Sequence, residues 1–182
     1  MARIRLITTA EGLSAAQRAV YSSIAGGARG GVRGPHAVLL HSPGAAAPMD
    51  RLGAFVRYEC SVPERQRELA ILVIAALWRA DYEWYAHAPL ARKQGLSDAV
   101  IAAVGQRETP NFETALDTAV HRFVRELLDL HRVEDSTYAE AVSLLSEVGT
   151  VDLVALVGYY SAIAMTLNTF EVGVPADAAL PW

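Results

Sequence analysis

The chain is short of sulfur and of lysine. Cys60 is its only cysteine and Lys93 its only lysine among 182 residues. A lone thiol excludes an internal disulfide, a C-x-x-C redox pair and a cysteine-rich zinc site. The preference for arginine over lysine reads as genome composition rather than function. Net charge is small, 16 basic against 20 acidic residues. That argues against nucleic acid as a partner, because phosphate binding needs a concentrated basic face. Long apolar runs are also missing. The longest, Leu69 to Trp78 and Leu153 to Met165, fall short of the roughly 18 to 20 residues that span a bilayer, and Gly158 and Ser161 interrupt the second. No apolar run follows Arg3 and Arg5, so neither a signal peptide nor a membrane partner is expected, and a cytoplasmic location is. No segment alternates apolar and polar residues for long enough to make a strand.

What is present is a core former. Hydrophobic residues make up 52% of the chain and charged ones 20%, enough to bury a full core in one domain. The punctuation is helical almost throughout. A first helix is expected over Leu13 to Ala25, with Ser14 near its start. Gly26 to Gly34 holds five glycines and reads as a loop or connector. It divides an N-terminal helical arm, residues 1–34, from a main helical domain, 35–182. HSPGAAAP reads as a turn-rich break before a helix over Met49 to Tyr58. Ser61-Val62-Pro63-Glu64 has the pattern of a capping box with proline in the first turn. The ten apolar residues after it have no polar face, so that helix is expected to be surrounded. Asp81 suits the cap of the next helix, which stops at Gly95. Further helices are expected from Ser97, from Thr109-Pro110 (with Leu116, Val120, Phe123, Val124 and Leu127 on one face), from Ser136 and from Thr150. The fold class is all-α, with seven or eight helices. Two nearly all-apolar helices in so small a chain also point to a homo-oligomer.

The chemistry gathers in Arg79-Ala80-Asp81-Tyr82-Glu83-Trp84-Tyr85-Ala86-His87. Glu83 and His87 lie one helical turn apart and share a face. A carboxylate beside an imidazole is the simplest proton-transfer pair. Tyr82, Trp84 and Tyr85 are candidates to wall a substrate pocket. Pro89 leaves the carbonyl of Tyr85 without its helical donor, which suits a pocket-forming kink. The plainer alternative is a surface ion pair worth a few tenths of a kcal/mol. Glu68, one turn after Glu64, is either a solvated first-turn acid or a third member of the site. Arg65, Arg67 and Arg79 are the nearby cations. Tyr159, Thr166 and Asn168 in the last apolar helix need partners if buried. One Glu and one His give two ligands where a metal usually needs at least three, and H-E-x-x-H is absent; His36 and His41 lie in a loop-rich stretch from which they could approach, His121 and His131 lie on the long amphipathic helix, and no metal is expected.

The stretch GPHAVLLHSPGAAAPMDRLGAFVRY, followed by PERQRELAILVIAALWRADYEWYAHAPLARKQGLSDAVIAAV, resembles the carboxymuconolactone decarboxylase family, whose fold is the AhpD-like helical bundle. The resemblance is specific from Pro63 to Val104, through Arg67-Glu68-Leu69, Tyr82-Glu83-Trp84, His87, Ala91 and Gly95-Leu96-Ser97. In the family's peroxidase branch a Glu, two cysteines and a His relay protons. The Glu matches Glu68 and the His matches His87, while the cysteine positions fall on Ala80 and Glu83. The resemblance therefore implies the fold and pocket without the dithiol chemistry. Its decarboxylase branch implies a cofactor-free lyase acting on a small carboxylated lactone or related acid. His87 would be proton donor, Glu83 its orienter or relay, and Glu68 a support. It also implies trimers or hexamers. A peroxidase and a non-catalytic oligomeric binder are the alternatives.

Overall fold

The computed structural model describes residues 2–182. Eight α-helices follow one another: α1 (Ala15–Gly26), α2 (Pro35–Leu39), α3 (Pro43–Ala54), α4 (Glu64–Trp78), α5 (Asp81–Lys93), α6 (Asp98–Gly105), α7 (Ala115–Leu130) and α8 (Asp135–Thr169). A π-helical turn, Phe55–Glu59, continues α3. The described residues contain no strand.

Helix α4 is the axis of the bundle. Leu69 through Ala76 are all buried in it, as a sequence without a polar face requires. Helices α5, α6, α7 and α8 cover it. Arg79, in the left-handed region at φ 46°, ends α4 and turns the chain straight into α5. That tight corner lays the acidic first turns of α4 beside the middle of α5.

A second, smaller core joins Ile7, Leu13, Val20 and Ile24 to Val32, Ala37, Leu40 and Ala46. The N-terminal arm thus packs onto α2 and α3, and the glycine-rich stretch between them is drawn tight. Gly34 sits at φ 54°, and a Cβ there would strike the Tyr82 ring.

Several helix limits differ from the sequence expectations. The break expected in HSPGAAAP is confined to the turn at His41 and Ser42: Pro43 already takes the first turn of α3, where its missing N–H costs nothing. Ser61 does not cap α4. Pro63 holds the cap position, and Ser61 instead donates from its amide and hydroxyl to Asp152 Oδ2, at 2.8 and 2.7 Å. Asp81 lies in the first turn of α5 after a cap at Ala80, and accepts from the indole of Trp182 at 2.9 Å. Helix α7 starts at Ala115, capped by Thr114, rather than at Thr109-Pro110. The helices expected from Ser136 and Thr150 run together as α8 through a kink at Ser146 (φ 69°). Joined in this way, α8 is long and apolar enough by composition to cross a membrane. Its inner face, including Leu153, Leu156, Ile163 and Leu167, is buried in the protein core.

Candidate active site

Glu83 and His87 point inward, as their spacing suggests, and Glu68 reaches them from α4. His87 is 4% exposed and Glu83 4%. His87 Nδ1 lies 2.7 Å from Glu68 Oε2. On the other side of the ring, Arg57 Nη1 lies 3.1 Å from His87 Nε2. A guanidinium can only donate, so Nε2 accepts and the ring proton sits on Nδ1, donated to Glu68. The imidazole is therefore neutral, with its tautomer fixed from both ends. Glu83 Oε2 is 3.4 Å from Nε2 but makes no hydrogen bond, since Arg57 already holds that lone pair.

Burial pushes the Glu83 carboxyl above the ordinary carboxylate range. A positive charge on His87, were the ring protonated, and those of Arg57 and Arg29 pull the other way, and Glu68 adds to the rise, with burial dominant. Burial thus favours the protonated form of Glu83 more than that of a free glutamate.

Glu83, His87 and Arg57 line a hollow of about 140 Å³, while Glu68 stands behind the imidazole and does not border it. Its far wall comes from segments distant in sequence: Arg29 and Arg33 from the glycine-rich stretch, His36 from α2, Tyr159 and Tyr160 from α8. His36 is 7% exposed and its Nε2 has no partner. Burial first, then Arg29 and Arg57, lower its pKa to about 3, so the 3.9 Å approach to Asp50 joins a neutral ring to a carboxylate. Arg29 donates to Asp50 Oδ1 at 3.3 Å and to the Tyr159 hydroxyl at 3.4 Å. Arg57 donates to the Tyr160 hydroxyl at 3.4 Å. Burial raises both phenols, Tyr159 to about 12 with Arg29 opposing and Tyr160 also upward with Arg57 opposing. Both stay protonated and can donate into the cavity.

Of the candidate wall residues, only Tyr82 borders this hollow. Trp84 and Tyr85 face a different depression beside Pro175 and Asp177. Each residue of a helix turns about 100°, so positions 83 and 87 look inward while 84 and 85 look away. Trp84 packs edge-on against Trp182 instead, and Tyr85 is 44% exposed.

None of the three arginines near the motif reaches the hollow. Arg65 is held by the buried Asp117, at 3.0 Å. Arg67 lies against Glu64 and the Cys60 sulfur. Arg79 is the corner residue after α4. The arginines that do line it are Arg29, Arg33 and Arg57. Arg57 owes its direction to the π-helical turn, closed by the Cys60 amide bonding to the Phe55 carbonyl at 2.9 Å. Such turns recur at functional sites because the extra residue re-aims a side chain.

Of the other residues singled out, Thr166 bonds back to the Ala162 carbonyl and Asn168 donates to the Trp78 carbonyl, so both serve structure. Cys60 is buried, its thiol donating to the Val56 carbonyl at 3.1 Å, and it does not border the hollow. Among the described residues no three His, Cys, Asp or Glu side chains are arranged to hold a metal ion.

Residues 43–123 match the sequence model of the carboxymuconolactone decarboxylase family. Arg57, Glu68, Glu83 and His87 fall within that stretch, and the arm and α8 walls fall outside it. No curated protein matches the sequence. Several solved structures share the fold. The alkylhydroperoxidase AhpD core protein of Ralstonia eutropha JMP134, a peroxidase-related protein, has a TM-score of 0.75 at 14% identity, covering 97% of this chain and 93% of its own. A peroxidase-related protein of Silicibacter sp. TM1040 has a TM-score of 0.74 at 11% identity, with coverages of 97% and 93%. The debrominase Bmp8, bound to 2,3,4-tribromopyrrole, has a TM-score of 0.71 at 12% identity, with coverages of 97% and 95%. The chain thus shares the all-helical, AhpD-like fold of these structures, and its residues 43–123 are similar to the carboxymuconolactone decarboxylase family.

Proposed function

We propose that the hollow is the reaction site of a cofactor-free lyase acting on a small carboxylated lactone or a related acid. Its observation is the pair of orphaned buried atoms. Glu83 Oε2 and His36 Nε2 are two of only three buried side-chain polar atoms without a partner among the described residues, and both belong to residues that line this one cavity. Buried polar groups are nearly always paired, so two orphans on residues lining one space favour a ligand that pairs them.

The chemistry fits the donors at hand. When CO2 leaves such a substrate, the lactone carbonyl takes the electron pair and becomes enolate-like. The phenol O–H groups of Tyr159 and Tyr160 are positioned to stabilise that oxygen. The carbon must then receive a proton. Glu83 holds one, and His87 Nε2 is the atom that passes it on, while Glu68 keeps the ring oriented through Nδ1. This reading gives Glu68 the orienting part and Glu83 the part of proton store. A dithiol peroxidase would need thiols at this cavity, and the only sulfur of a cysteine here is enclosed elsewhere against Val56.

The test is release of CO2 from carboxylated butenolides. The wild type is expected to turn over, and His87→Gln and Glu83→Gln to lose about 10²- to 10⁴-fold in rate, the usual worth of a general acid. Turnover indifferent to both substitutions would overturn the assignment. Hydroperoxide-dependent thiol oxidation that vanishes in Cys60→Ser would favour a peroxidase.

A further inference from the structure

The contact between Arg57 and His87 has a consequence for how the site is switched on. Arg57 Nη1 occupies the one lone pair through which His87 can accept a proton. While it does so, the proton on Glu83 has nowhere to go, although Oε2 is only 3.4 Å from Nε2. Arg57 itself is under-served. Its polar partners are the imidazole and the Tyr160 hydroxyl, and it forms no ion pair among the described residues. Arg33 likewise donates only to the Arg29 carbonyl. A half-buried guanidinium bonded only to neutral acceptors exchanges them readily for a carboxylate, whose charge-assisted bonds are roughly twice as strong.

We infer that Arg57 is a ligand-released clamp: a carboxylate entering the hollow draws its guanidinium off His87 Nε2, and the freed nitrogen takes the proton of Glu83. The inference rests on reading the hollow as the reaction site and adds the order of events. In the step itself the Glu83 O–H bond breaks and the Nε2–H bond forms. The proton is the only species moved, and the imidazolium is left between two carboxylates, Glu68 and Glu83. Every charged or titratable group facing the ring enters this balance: Glu68 from α4, Glu83 on α5, Arg57 from the π-helical turn, and the Tyr160 phenol from α8, whose ring lies edge-on at 5.4 Å. The carboxylate that Arg57 takes must be one the substrate keeps, because ion pairing holds back a carboxylate that is to leave as CO2. Arg33, exposed at the mouth, would meet the same anion first. An empty site thus stays proton-locked, and a neutral molecule of the same shape does not unlock it.

The probe is 2-furoate, a five-membered-ring carboxylate, with methyl 2-furoate as its neutral counterpart. Imidazole nitrogen NMR of the ¹⁵N-histidine-labelled protein reads the protonation of His87 Nε2 directly at fixed pH. Expected in the free protein is an unprotonated, hydrogen-bonded Nε2 with the proton on Nδ1. Saturation with 2-furoate should protonate Nε2, and the methyl ester should not. Arg57→Gln should bind furoate about tenfold or more weakly, and its Nε2 signal should be free of the clamp before any ligand is added. Arg57→Lys, which keeps the charge, should restore furoate binding in part. The clamp is refuted if free wild type already carries its proton on Nε2, if furoate binds and leaves that signal unmoved, or if the ester moves it equally. These readouts need no turnover. Protonation of Nε2 by furoate in a protein that releases no CO2 would sustain the clamp and sink the lyase.

Discussion

Replacing Glu83 by Gln should make the protein more stable and less active, and the gain should grow with pH. In the wild type the buried Oε2 has no hydrogen-bond partner. An unsatisfied buried polar atom costs about 1–3 kcal/mol. Glutamine has the same shape and carries no charge, and its amide can turn N–H toward a cavity water. It should therefore recover about 1–2 kcal/mol of that cost. Burial raises the folded-state pKa of Glu83 above its unfolded value. The protonated acid thus favours the folded state in full below the ordinary carboxylate value, and that contribution is lost as pH rises through the raised value. Glutamine has no such loss, so the stability difference should widen between pH 5 and pH 8, a choice of window that brackets the region above about 4.3. For a chain of 182 residues, each kcal/mol moves the melting temperature by about 2–4 °C, so the expected rise is about 2–8 °C at the upper pH. Calorimetric melts at the two pH values, with matched rate measurements, read both effects. A lower melting temperature, or a gain that ignores pH, would show that Glu83 is not a buried acid under desolvation stress.

Other consequences follow from the packing. Arg65→Ala would leave Asp117, which is 0% exposed, with Gln66 as its remaining side-chain donor, and should cost about 3–5 kcal/mol in a denaturant titration. Gly53→Ala would press a methyl group against the Tyr159 hydroxyl and Arg29 Nη2. It should cost about 1–3 kcal/mol as overpacking and weaken 2-furoate binding in calorimetry by shifting the far wall. The outer face of α8 exposes Val148 at 65% and Val151 at 67%, and we propose that a second copy of the chain covers it. Val151→Asp should then lower the mass seen by light scattering while leaving the fold within about 0.5 kcal/mol, and an unchanged mass would place any interface elsewhere.

The sequence carried the architecture wherever apolar spacing and caps agreed. Ser14 and Ser97 cap their helices, and the run after Leu69 is enclosed on all sides, as its lack of a polar face demands. It failed where a local signal was outweighed by a tertiary partner. Ser61 gives up its cap for Asp152, a residue on α8. The half of the site on one helix was legible, because Glu83 and His87 are tied by helical geometry alone. Glu68 was legible as a candidate, and its 2.7 Å contact with His87 depends on the tight corner at Arg79. The arginine wall was not legible. Arg29 and Arg33 sit in a glycine-rich stretch that reads as a spacer, and Arg57 is aimed by a π-helical turn that no spacing rule announces. Trp84 and Tyr85 show the converse: aromatic residues next to Glu83 in sequence are turned by the helix toward a different depression.

The central claim is that a proton passes from Glu83 through His87 to a substrate carbon, with no sulfur involved. The most direct measurement is deuterium transfer from D2O into a carboxylated lactone or its product, followed by proton NMR. Wild type and Cys60→Ser should both incorporate deuterium at the carbon that loses CO2, and His87→Gln should not. Incorporation that survives His87→Gln, or that disappears with the thiol, would contradict the account.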